Sequence, residues 1–156
     1  MLIFALIAAI IDDIEPALLP GFILTAPPSR LCIRESKMND YAALIQRQLD
    51  AYNNKDIEAW LSTYAEDAQQ FALHGECLAS GHEEMRKRML VRFTEPDLHA
   101  RLLSRAVMEN IVVDHEVITR NFPEGKGEIE MLCVYEVKNG LIKTASFAVG
   151  QPKYMV

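Results

Sequence analysis

The chain has 156 residues, of which 50% are hydrophobic and 24% charged, with a net charge of −6. That length suits one domain with its own core, and the composition excludes a disordered or collagenous chain. No Lys/Arg block resembles the basic footprint of a nucleic-acid binder, so no DNA or RNA partner is expected.

Cys32, Cys77 and Cys133 are an odd, widely spaced set without a CxxC pair, so they indicate neither a disulfide framework nor a structural metal site. Buried reduced thiols are the plain expectation, and they favour the cytoplasm.

Met1 to Ile11 is almost wholly apolar, but it is half of the ~20 residues that a membrane helix needs, and Asp12, Asp13 and Glu15 end it. No basic residue opens it as in a secretory signal. Pro16, Pro20, Pro27 and Pro28 then interrupt the chain up to Ser29. Residues 1–37 therefore read as a poorly patterned extension and 38–156 as the domain. Met38 directly precedes Asn39-Asp40, which looks like a helix N-cap, so either Met38 is the natural start or the first 37 residues are a loosely attached extension.

Tyr41, Leu44, Ile45, Gln48, Leu49 and Tyr52 recur at helical spacing, with Gln48 the polar member of an apolar stripe. Asn53-Asn54 can close that helix in the left-handed conformation, and Asp56 caps a second carrying Ile57, Trp60, Leu61 and Tyr64. Glu66-Asp67 reads as a turn, Ala68 to Leu73 as a strand and His74-Gly75 as its exit. Ser80 to Glu83 has the form of a capping box for a third helix that runs to about Phe93. On that helix Met85, Met89 and Phe93 form the buried line. Arg86, Lys87, Arg88 and Arg92 form a basic face, solvated or open to an anion.

His99 to Met108, Ile111 to Phe122, Glu128 to Val137 and Leu141 to Val149 read as strands. Glu109-Asn110, the Pro123 to Gly127 loop and Asn139-Gly140 separate them, and Asn-Gly is a strong hairpin signal. The fold expected is α+β, with three N-terminal helices packed on a strongly curved antiparallel sheet. No GxGxxG, Walker, GxSxG or HExxH motif is present.

Leu44 to Trp60, with its helix, Asn-x-x-Asp, helix order, leads into Tyr64-Ala-Glu-Asp-Ala68 and then the strand-rich last third. Over Asn39 to Gly150 this resembles the nuclear transport factor 2-like superfamily, which includes ketosteroid isomerase and SnoaL-like polyketide cyclases. The resemblance implies a cone with a largely apolar pocket and a homodimer packed through the outer sheet face. In ketosteroid isomerase a tyrosine, a neutral carboxylic acid and a basic aspartate do the chemistry. Element alignment puts Gln48, Cys133 and Ala72 in those places, so the chain does not read as that enzyme.

On the strand from Ile111, Val113, His115, Val117 and Thr119 share the less charged face, while Asp114, Glu116 and Arg120 share the other. The expectation is that His115 points inward, as acid or base, and that Asp114 and Glu116 point outward to solvent or a dimer seam. A hydrogen-bonded core histidine is the alternative. Gln48, Trp60, Tyr64, Gln70, His74, Met131, Cys133 and Tyr135 are the expected ligand-binding wall.

No metal, cofactor, nucleic acid or membrane partner is expected. Two functions remain open: a cofactor-free proton-transfer, cyclase or hydratase enzyme acting on a small hydrophobic molecule through His115, or a non-catalytic binding or dimerisation module.

Overall fold

Leu44, Ile45, Gln48, Leu49 and Ala51 form one buried stripe on the first helix, while Arg47 and Asp50 are exposed. The computed structural model describes residues 30–155, and the expectations for Met1 to Ile11 and the prolines after it lie outside the described residues. Helix α1 spans Arg30–Asn53 and runs unbroken through Met38, so Asn39-Asp40 caps nothing. Residues 33–37 are exposed, so that part of the helix needed no apolar stripe.

Helix α2 (Ile57–Leu61) starts at Asp56, whose carboxylate accepts from the Ala59 N–H at 3.0 Å. The left-handed residue before it is Lys55, at φ 55°, in place of the expected Asn pair. The Asn53 side chain instead donates to Ala100 O at 2.9 Å and accepts from Ala100 N–H at 2.7 Å.

Strand β1 (Tyr64–Ala72) begins before the expected Ala68 and absorbs Glu66-Asp67, the expected turn. Its pairing is irregular between Tyr64 and Gln69, which is where the apolar alternation is weak. A short strand without a clear sequence signal, β2 (Cys77–Ser80), leads into α3 (Gly81–Phe93). The capping box is only half made: the Ser80 hydroxyl makes no capping bond, and its backbone N–H donates to Glu84 at 2.8 Å. Glu83 pairs with Lys87 instead.

Strands β3 (His99–Met108), β4 (Ile111–Phe122) and β6 (Leu141–Val149) have the expected bounds, and β5 (Gly125–Lys138) starts three residues early. A two-residue β7 (Lys153–Tyr154) pairs with β5. The β5–β6 turn has φ 54° at Asn139 and 78° at Gly140, the positive values this hairpin requires.

The sheet runs β2-β1-β6-β5-β4-β3, and β1 lies parallel to β6, so it is mixed where an antiparallel sheet was expected. A parallel neighbour leaves no turn signal in sequence, because its partner is far along the chain. Helix α1 packs on β3 and β4, and α3 packs on β1 and β2. Trp60, Tyr64, Ile45, Met85 and Ile142 are fully buried between these layers. Each such side chain contributes roughly 1.5–3 kcal/mol. Among the described residues no helix is long and apolar enough to cross a membrane.

Candidate functional site

The inner face of β4 is set by its turn. Two residues at Glu109-Asn110 put Met108 opposite Ile111, and therefore Arg105 opposite Asp114. The Arg105 Nε donates to Asp114 Oδ1 at 2.7 Å and Nη2 to Oδ2 at 2.6 Å, while Nη1 donates to Ala42 O and Gln46 Oε1. This clasp ties β3, β4 and α1 together around a carboxylate that is 0% exposed. With its charge matched, Asp114 can face inward.

Glu116 lies two residues along on the same face, only 4% exposed, and lines a cavity of about 290 Å³. The expectation for β4 is thus reversed: Asp114 and Glu116 point in, and His115 points out. His115 is half-exposed, and its Nε2 lies 3.6 Å from Glu130 Oε2 on the outer face. It does not line the cavity. Counting charges per face misleads here, because two of the three inner charges are paired, Asp114 with Arg105 and Arg120 with Glu95 at 2.6 Å, and the third, Glu116, has its carboxyl pushed up by burial.

Seven of the eight expected wall residues do line the cavity: Gln48, Trp60, Tyr64, Gln70, Met131, Cys133 and Tyr135. The exception is His74, which sits past the end of β1 in an exposed turn at φ 57°. Ala72 also lines the wall. Sequence reading assigned no cavity role to Tyr52, Phe147, Arg120 or Glu116, and left Arg88 and Arg92 on a basic face. Of that face, Arg86 pairs with Glu58 and Lys87 with Glu83, while Arg88 and Arg92 reach the cavity.

The deep wall is polar only at a few points. Gln48 Nε2 donates to the Tyr64 hydroxyl at 3.3 Å, and Arg88 Nη1 donates to Gln70 Oε1 at 2.9 Å. Cys133 Sγ donates to Glu116 Oε2 at 3.7 Å. Trp60 Nε1, Gln70 Nε2 and Glu116 Oε1 are buried without a hydrogen-bond partner among the described residues. Leaving such an atom unpaired costs on the order of 1–3 kcal/mol, which a polar group entering the cavity would offset.

Burial, and next the Asp114 carboxylate, push the Glu116 carboxyl up to about 7. It therefore shares its proton evenly near neutral pH, the condition for a general acid or base. Burial also pushes the Cys133 thiol and the Tyr64 and Tyr135 phenols up, so these stay protonated and serve as donors. Cys77, expected to be buried, is exposed. Among the described residues no group of three His, Cys, Asp or Glu side chains converges in a way that would hold a metal ion.

A profile of the SnoaL-like domain matches residues 45–145. The chain belongs to this SnoaL-like family. Comparison with curated proteins gave no match. Solved structures similar to this SnoaL-like chain include an uncharacterised cystatin-fold protein from Novosphingobium aromaticivorans, at 20% identity and TM-score 0.65, covering 69% of this chain and 97% of that one. AclR, a candidate hydroxylase from Streptomyces galilaeus, is 16% identical with TM-score 0.64, covering 72% and 80%. A candidate SnoaL-like polyketide cyclase from Jannaschia sp. CCS1 is 14% identical with TM-score 0.63, covering 72% and 86%. At these identities the likeness shows the nuclear transport factor 2-like fold alone.

Proposed function

We propose that the cavity takes a small hydrophobic molecule and that Glu116, in place of His115, moves a proton to or from it without a cofactor. The single observation that carries this reading is the Glu116 carboxyl. It is buried in the cavity wall, its Oε1 has no partner among the described residues, and it is pushed up to about 7. A largely apolar wall with few polar groups is the usual form of a small-molecule site. Such a group suits proton-transfer, cyclase or hydratase chemistry, and a candidate cyclase and a candidate hydroxylase share the fold.

Nitrobenzisoxazole is the test probe. A carboxylate in an apolar cavity takes its ring C–H proton, the C–H electrons form the nitrile, and the N–O bond breaks to release a coloured cyanophenolate. The wild-type rate should rise with pH through a midpoint of about 7, E116Q should lose it and H115Q should keep it. An undiminished rate in E116Q overturns the reading. Binding of the probe without turnover would favour the non-catalytic binding module.

The same reading includes a homodimer through the outer sheet face, where Leu103 and Leu132 are each 43% exposed beside His115. A monomeric mass at micromolar concentration would remove that part. The free thiols of Cys77 and Cys133 support a reducing, cytoplasmic setting.

A further inference from the structure

Arg88, Arg92 and Arg120 all line the cavity, on a chain whose net charge is −6. Two of the three share one anion. Glu95 accepts from Arg92 Nη1 at 2.8 Å, from Arg120 Nη2 at 2.6 Å and Nε at 3.1 Å, and from the Asn121 N–H at 3.1 Å. Its two oxygens are fully engaged.

Arg88 has no such partner. Among the described residues its side chain makes one hydrogen bond, to the neutral Gln70 Oε1 at 2.9 Å, and no ion pair. One turn along α3 lies Arg92, a like charge. Burial and Arg92 together hold the Arg88 guanidinium below its ordinary value, so the protein itself destabilises this cation. A guanidinium offers five N–H donors in a planar fork, and most of those of Arg88 are unused.

We propose that the ligand is a hydrophobic carboxylic acid whose carboxylate is held by Arg88 at the arginine-lined side of the cavity, with its apolar body along the wall toward Glu116. The planar fork matches the two oxygens of a carboxylate, and an arginine gives this match where a lysine gives only a point charge. Ile118, Ile129, Met131 and Phe147 supply the apolar wall. The buried Trp60 and Gln70 N–H groups, without partners among the described residues, are further donors for polar atoms on the ligand. This inference rests on the cavity being a site for a hydrophobic ligand, as proposed above.

Trp60 is the chain's single tryptophan and lines the cavity, so its fluorescence reports occupancy. The intact protein is titrated with decanoate and with decanol, which share a chain length and differ in charge. Decanoate should bind about ten-fold more tightly, and added salt should weaken decanoate alone. R88Q should lose the preference while decanol binding stays, and R88K should keep part of it. Equal affinity of the wild type for both probes, or a preference that survives in R88Q, overturns the carboxylate assignment and leaves the cavity a hydrophobic site. Failure of both probes to bind overturns the assignment and the hydrophobic-site reading together.

Discussion

Cys133 Sγ donates to Glu116 Oε2 at 3.7 Å, across the paired strands β4 and β5. The thiol is the described side chain that hydrogen-bonds this carboxylate, and it acts against the burial that raises the Glu116 pKa. C133A removes that donor and leaves the burial, so the Glu116 midpoint should rise. A thiol bond is weak, so the shift should be about half a unit, well under the ~1.4 kcal/mol of a full unit. The pH profile of benzisoxazole turnover reads it, and a midpoint that falls would contradict the assignment.

Stability should depend on pH through the same group. The folded Glu116 titrates at about 7 and the ordinary value is 4.5, so between these the folded chain binds more protons than the unfolded one. Its stabilising proton is fully present below pH 4.5 and is lost as pH rises through about 7. The loss is on the order of 3 kcal/mol. Asp114, Cys133, Arg105, Tyr64, Tyr52 and Tyr135 surround the site, and of these Asp114 raises the midpoint while Cys133 and Arg105 lower it. Urea unfolding of wild type and E116Q should show a stability difference that moves in favour of E116Q as pH rises. A constant difference would show an ordinary carboxylate.

The Arg105–Asp114 clasp predicts a large single-site effect. R105A leaves Asp114 uncompensated at 0% exposure, and breaking a buried pair of this kind costs roughly 3–5 kcal/mol. Chemical denaturation measures it. A loss under about 1 kcal/mol, the level of a surface pair, would mean that water reaches the site.

The first turns of α1 should be dispensable. Residues 33–37 are exposed, and the Arg34–Glu109 pair they contribute has side chains 58% and 66% exposed. A surface pair of that kind is worth about 1 kcal/mol or less. A chain beginning at Met38 should fold and melt cooperatively within a few degrees of the full chain. Loss of solubility or of the cooperative melt would show that the segment before Met38 belongs to the domain.

Much of this was legible in the sequence. Helical spacing placed Leu44, Ile45, Gln48 and Leu49 on one buried stripe, and the Glu109-Asn110 and Asn139-Gly140 turns fixed three strands to the residue. Seven of the wall residues came from helix and strand patterns taken together, on α1, α2, β1 and β5. The face of β4 did not, because alternation separates two faces without saying which is inner. Val112 and Ile118 flank the inner charges, whereas the outer face carries Val113 and Val117, so apolar content gave no decision. The deciding signal was present but unused: the two-residue turn puts Arg105 opposite Asp114, and a matched pair can be buried. The parallel β1–β6 contact and the Glu95–Arg120 bridge join residues far apart in the chain, where no local pattern records them.

The central claim is that Glu116, rather than His115, is the titrating group of the cavity. Its most direct test is a carbon NMR titration of the side-chain carboxyls, with E116Q identifying the Glu116 resonance by its disappearance. The account predicts a midpoint of about 7 for that resonance. A midpoint at the ordinary 4.5 would contradict it, and with it the proton-transfer role of Glu116.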